Sequence, residues 1–269
     1  MDPVNPGRRR ILLALASTAL PAAAAGRLPV PGINGSDERI LVDTAAYPWS
    51  AIGRVNNTLG PFCTGTLIGP RRVLTAAHCL WNRRTAGWLP PCALHFVAGY
   101  RRGEYVAHAL VSGYTLSNGA ELRRRAPRFQ PASDWAVLHL ADDLAAGIDP
   151  LPTAPLDRER LTAYRKADGR FLQAGYSRDR PHILTLNRPC PLVGFADDDR
   201  VVLHACDATF GDSGSPILLE RNGGFHVVAV VVGIEQTTGR GLAVTAKAFH
   251  EPIRRMEPPA PDGEPSGAC

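Results

Sequence analysis

From residue 51 to residue 140 the chain repeats one pattern: a short apolar, β-branched run followed by glycine, proline or a polar cluster. The runs are AIGRV, GTLIG, RRVLTAA, LHFVAGY, YVAHALVSG and WAVLHL. After a break rich in proline and small residues, AAGIDPLPTAPLDRERL, a second set follows: RFLQAGY, HILTLNRPC, VVLHAC, SPILLE, FHVVAVVVG and GLAVTA. Many short strands with turn signals between them predict an all-β sandwich or barrel. The break reads as a linker, which divides the chain into a first antiparallel barrel over 40–150 and a second over 151–256. Each half has enough strands to close, and closure removes exposed sheet edges. A helical period is expected only near the C-terminus, where TAKAFHEPIRRM spaces its apolar residues for a short helix despite Pro252. The remaining 257–269, EPPAPDGEPSGAC, reads as an extended Pro-rich tail unless Cys269 fastens it.

Residues 1–25 stand outside this pattern. GRRR is a basic start, ILLALASTAL is an apolar run too short to span a bilayer, and PAAAA offers small residues for cleavage. That order predicts a signal peptide and a secreted or periplasmic protein, with general and twin-arginine export both left open. Residues 26–39 then form an N-terminal segment or propeptide. Losing three arginines and one aspartate with the signal lowers the formal charge from +5 to +3. The remaining arginine pairs are scattered and no aromatic residues interleave them, so nucleic acid is excluded as a partner. No membrane partner is expected once the signal is removed, and a monomer is expected. The six cysteines behind a signal predict up to three disulfides, with about 15 connectivities available. None of them sits two to four residues from another, the usual zinc spacing, so neither metal nor cofactor is expected.

Three patches carry candidate chemistry. VLTAAHCL places His78 after a strand, ASDWAVLHL places Asp134 at the head of an apolar run, and GDSGSP holds Ser213. A serine hydroxyl is inert at neutral pH unless a base takes its proton and donors stabilise the oxyanion that forms. An imidazole serves as that base when one nitrogen faces the hydroxyl and an acceptor holds the other. Chain order selects among arrangements. The α/β-hydrolase order is serine, acid, histidine behind G-x-S-x-G, whereas here the motif is GDSGS, ending in Ser215. The subtilisin order would need Asp43, His78 and Ser213, but VDTAA and TAAHC lack the glycine-rich settings of that family.

At these residues the chain resembles the trypsin-like, chymotrypsin-fold serine peptidases. YPWSAIGRV, CTGTLIGPRRVLTAAHC and CDATFGDSGSP are similar to the secreted bacterial branch that includes glutamyl endopeptidases, over roughly residues 38–250. The resemblance implies two Greek-key barrels with His78 and Asp134 from the first, Ser213 from the second, and a protein or peptide substrate in the cleft. It implies an oxyanion hole made by the backbone N–H groups of Gly211 and Ser213. It also implies a bridge between Cys63 and Cys79; Cys190 and Cys206 are expected partners, leaving Cys92 and Cys269 to pair or to stay free.

Specificity and activation follow from the same resemblance. Asp207, six residues before Ser213, would floor a specificity pocket walled by Val232, Gly233, Ile234 and Gly241, and its carboxylate suits a substrate Arg or Lys. Ile234 stands where glycine is usual and narrows the entrance. Glutamate specificity is the alternative; against it, Val231 replaces the histidine of the glutamate binders and Asp207 repels an acidic side chain. Asp212 suggests a zymogen in which cleavage after Arg39 frees Ile40 to pair with it, or else a carboxylate hydrogen-bonded locally in its turn. The reading from a different class is a peptidase fold without activity that binds peptides; its usual mark, a substituted triad residue, is absent. Hydrolysis of small esters shares the same chemistry.

Overall fold

The computed structural model describes residues 32–33, 35–117, 130–235 and 237–256; the signal-like segment and the 257–269 tail, with Cys269, lie outside them. The alternation of the first half folds as six strands, preceded by a two-residue strand β1 (Ile40–Leu41): β2 (Ile52–Asn57), β3 (Cys63–Gly69), β4 (Arg72–Thr75) and, after a small hairpin of β5 (Trp81–Asn82) and β6 (Gly87–Trp88), β7 (Leu94–Ala98), β8 (Ala107–Leu116) and β9 (Ala136–Leu140). Strands β2, β3, β4, β9, β8 and β7 close in that order into a barrel. Ile52, Leu67, Leu74, Phe96 and Leu138 are completely buried inside it, the burial that stabilises a small barrel.

The second half contains α1 (Arg158–Lys166), β10 (Arg170–Gly175), β11 (Thr185–Asn187), β12 (Leu192–Ala196), β13 (Val201–His204), β14 (Pro216–Arg221), β15 (Gly224–Ile234), β16 (Gly241–Thr245) and α2 (Ala246–Arg255). Its strands form an eight-stranded antiparallel sheet, β1-β11-β10-β14-β15-β16-β13-β12, curved as a half-barrel where a closed barrel was expected. The edges are managed by shortness instead of closure: β1 has two residues, and β12 carries a register shift between Leu192 and Gly194. Although β1 opens the stretch assigned to the first barrel, it pairs Ile40 with Leu186 and Leu41 with Thr185 in the second sheet.

Helix α1 begins inside the stretch read as a linker, whose last residues, DRERL, supply its cap and first turn. Its signals are local: Asp157 caps it by accepting Arg160 N at 2.8 Å, Glu159 occupies the first turn, and Arg165 and Lys166 the last. The surrounding prolines masked that cap. The predicted C-terminal helix is α2, which includes Pro252 and buries Phe249 and Ile253. Phe249 packs at 6.1 Å from Trp135, and one core runs from the first barrel to Val230, Val244 and α2. The two halves therefore share one continuous apolar core.

Candidate active site

Strand pairing brings two of the predicted residues together. β4 and β9 are antiparallel neighbours with Thr75 opposite Ala136. Just past Thr75, a 3-10 turn over Ala77–Leu80 carries His78; just before Ala136, a 3-10 turn over Pro131–Ser133 delivers Asp134. Two adjacent strand ends thus place an imidazole beside a carboxylate. Asp134 Oδ2 lies 2.7 Å from His78 Nδ1, and Oδ1 accepts the His78 backbone N–H at 2.8 Å. The carboxylate is buried, whereas 31% of the His78 side chain reaches solvent. The disulfide between Cys79 and Cys63, with Cα atoms 6.1 Å apart, ties the histidine turn to the start of β3.

Ser213 lies in the turn leading into β14, and its main chain rests against that same turn. Ser213 O accepts Thr64 N–H at 2.8 Å and lies 3.9 Å from Cys79 Sγ. Beyond it, Gly214 N donates to Val231 O at 2.7 Å and Ser215 N to Asp212 O at 2.9 Å. Gly211 and Gly214 have φ of +98° and +85°, the left-handed region that glycine adopts without steric cost. A Cβ on Gly214 would overlap Thr64 O and Thr75 Oγ1, so the loop approaches the first barrel as closely as backbone allows.

Thr64 was not singled out from the sequence. Its N–H binds Ser213 O, its Oγ1 donates to Gly211 O at 3.1 Å and accepts Tyr176 N–H at 3.0 Å, and its carbonyl accepts Thr75 Oγ1 at 2.7 Å. One side chain thereby links the serine loop to both halves. The signal available was CTGTL next to a bridging cysteine, which marks a strand start but no partner.

Asp212 is completely enclosed and accepts hydrogen bonds from Ser177 Oγ at 2.6 Å, Thr209 N at 2.8 Å and Gln173 Nε2 at 3.3 Å. Burial raises its carboxyl to about 6, against the lowering effect of those donors and of Arg39. Ile40, the other member of the suggested ion pair, is 52% exposed and lies in β1, joined to Arg39 in the intact chain. In the intact chain Asp212 therefore follows neither expectation alone: only Thr209 serves it from its own turn, and Ser177 and Gln173 reach it from far upstream in the chain.

Asp207 is buried. Its main chain exchanges two hydrogen bonds with Asn187, N to Oδ1 at 3.0 Å and O from Nδ2 at 2.8 Å, and Oδ2 accepts Glu38 N–H at 3.4 Å. Val232 is buried, and Gly233 and Ile234 are half-buried opposite Leu242 and Gly241. Gly32 sits between the two sides: it accepts Ala208 N–H at 2.9 Å, and a Cβ on it would lie 2.8 Å from Ile234 Cδ1. The absent side chain of Gly241 makes room for a residue not anticipated, since a Cβ there would overlap the His204 imidazole. His204 is completely buried, neither ring nitrogen has a partner among the described residues, and burial lowers its pKa to about 4.

Cys190 is bonded to Cys206, with Cα atoms 4.8 Å apart, and Cys92 is also disulfide-bonded; Cys269, its expected partner, lies outside the described residues. Among the described residues, two groupings bring ligand atoms within 4.8 Å: Cys63, His78 and Cys79, and Cys190, His204 and Cys206. Both hold their sulfurs in disulfides, and cysteine ligates a metal ion only as a free thiolate.

A closed β-barrel packed against an antiparallel half-barrel, with the serine loop seated on the histidine turn, is the two-barrel architecture of the chymotrypsin-like fold. The family model for a trypsin-like peptidase domain matches residues 63–230, more than half of the chain. The chain belongs to the trypsin-like peptidase family. It is 43% identical over 54 residues, 20% of its length, to the glutamyl endopeptidase of Bacillus licheniformis, a match that spans 17% of that relative. A solved structure described as Glu endopeptidase in complex with MPD has a similar fold, with a TM-score of 0.67 and 20% identity over 83% of this chain and 97% of that one.

Proposed function

We propose that the chain is a secreted serine endopeptidase in which His78, Asp134 and Ser213 act as a triad. The observation that carries this reading is the doubly held His78–Asp134 pair with the Ser213 main chain packed on the neighbouring Cys79. Asp134 accepts a hydrogen bond from Nδ1–H, which holds the proton on that nitrogen and leaves Nε2 as the basic one. His78 accepts the Ser213 hydroxyl proton as Oγ attacks the substrate carbonyl, and Gly211 and Ser213 N–H groups receive the developing oxyanion. The imidazolium returns the proton to the leaving amine, and water, activated by the same base, releases the acyl group from Oγ. The described disulfides suit an oxidising compartment.

For the side chain before the cut bond, the reading is Arg or Lys, supported by the negative charge of Asp207, which also holds the Glu38 N–H, and by apolar Val231 beside the serine loop. Glutamate is the second reading, favoured by the names of the two similar proteins. A fluorophosphonate probe is expected to label wild-type protein at Ser213 and to fail with Ser213→Ala. Digestion of a peptide library with mass spectrometry of the ends then separates the specificities. A disulfide-bonded protein that neither reacts with the probe nor cuts any peptide would support the binding module instead.

A further inference from the structure

The acid preceding Ser213 belongs to a closed hydrogen-bond ring. Asp212 Oδ2 accepts from Ser177 Oγ at 2.6 Å and from Thr209 N at 2.8 Å. Ser177 Oγ accepts from Arg39 Nη1 at 2.8 Å. Arg39 Nη1 also donates to Asp179 Oδ1 at 3.2 Å, and that oxygen accepts Thr209 Oγ1 at 3.0 Å, which closes the ring. Only 1% of the Arg39 side chain is exposed, so the N-terminal segment delivers a cation into the interior beside the serine loop.

The segment is held on either side of that cation. Asp37 braces the guanidinium through Nε and Nη2, each at 2.9 Å, and receives Arg180 Nη2 at 2.5 Å. Glu38 N–H and the Gly32 carbonyl bind Asp207 and Ala208 on the same loop as Ser213. Burial works against the charge of Arg39, but its hydrogen bonds to Asp37 and Asp179 keep it above its ordinary range. Arg39, Asp37, Asp179 and Arg180 are the charged groups clustered on this side of Asp212, while Gln173, Ser177 and Thr209 face it as neutral donors. A buried carboxylate is costly unless donors and an opposite charge serve it, and here both are in place with the Arg39–Ile40 bond uncut.

Resting on the reading of Ser213 as nucleophile, we propose that Arg39 is a positioning residue for the serine loop. It acts through Ser177 on Asp212 where a cut chain would have to bring its terminal ammonium, so Gly211–Ser213 is shaped without cleavage. Residues 32–39 are on this account part of the working enzyme and not a discarded propeptide.

The test uses Arg39→Met, Arg39→Lys and Ser177→Ala, the last breaking the ring while leaving the ion pairs of Arg39 intact. The first readout is the Asp212 carboxyl titration by NMR of 13C-labelled aspartate, assigned with Asp212→Asn. Removing the cation or its bridge is expected to move that titration upward by about one unit, with partial restoration in Arg39→Lys. The second is kcat per labelled Ser213, expected to fall about tenfold or more in Arg39→Met and Ser177→Ala with little change in KM. N-terminal sequencing of active wild-type enzyme is expected to find the Arg39–Ile40 bond intact. An unchanged Asp212 titration in Ser177→Ala, or an active enzyme that begins at Ile40, overturns the proposal. Absence of labelling in the wild type would overturn the peptidase reading separately, since the titration needs no activity.

Discussion

Asp134 grips His78 at two points, Oδ2 on the ring Nδ1 at 2.7 Å and Oδ1 on the backbone N–H at 2.8 Å. Both oxygens are used, so ring tautomer and turn position are fixed by one buried carboxylate. Asp134→Asn offers a single carbonyl oxygen for these two donors and an amide that cannot accept from Nδ1–H. Its kcat is expected to drop about 10⁴-fold with the fold retained, as for loss of the orienting acid in such triads. Steady-state kinetics on a peptide ester, with circular dichroism as control, checks it; a loss under tenfold would contradict the role.

Gly214→Ala should damage the site without touching a reacting group. The new Cβ meets Thr64 O and Thr75 Oγ1, and φ of +85° is strained for alanine. A cost of about 3 kcal/mol or more is expected from combined strain and overlap. It should appear as a lower Tm and a large loss of Ser213 labelling by a fluorophosphonate. A variant with wild-type Tm would mean that the loop has room to move.

The Cys63–Cys79 bridge closes a 16-residue separation directly beside His78. Cys63→Ser with Cys79→Ser is expected to lower stability by about 3 kcal/mol, the loop-closure magnitude. Because the bridge also sets the histidine turn, kcat should fall even at temperatures where the variant stays folded. Urea unfolding and kinetics on the same preparation separate the two effects.

Two buried groups give opposing pH dependences. His204 has a folded pKa near 4 against an ordinary 6.5, so the unfolded chain binds a proton the folded one refuses, and stability is lost as pH falls through that window. Asp212 has a folded value near 6 against 3.8, so its contribution is fully present below 3.8 and lost as pH rises through about 6. Each is worth about 3 kcal/mol at most, so between pH 4 and 6 the two slopes largely cancel. His204→Phe, which removes one, should make stability fall with rising pH across this range. Urea midpoints at half-unit intervals test the sign; a rise with pH would refute the Asp212 assignment.

Much of the candidate site was legible because its signals are local. The strands announce themselves by alternation, the serine loop by GDSGSP and its glycines, and the histidine turn by TAAHC. Capping by Asp157 was local too, but prolines obscured it, and α1 was missed. Legibility ended where partners are far apart in the chain. Nothing near His204 marks Gly241 as the residue that makes room for it, and nothing near Thr64 marks Ser213.

By itself the sequence determined the all-β class through its strand period, and it marked His78, Asp134 and Ser213 as candidates for nucleophilic chemistry through residue type and motif, whereas the Cys63–Cys79 pairing came from the family resemblance. Tertiary structure alone decided that β1 joins the second sheet, that this sheet stays a half-barrel, and that Arg39 lies one hydroxyl from Asp212. Sheet order and buried charge pairing are settled by the packing of segments more than a hundred residues apart, which leaves no mark on either segment alone.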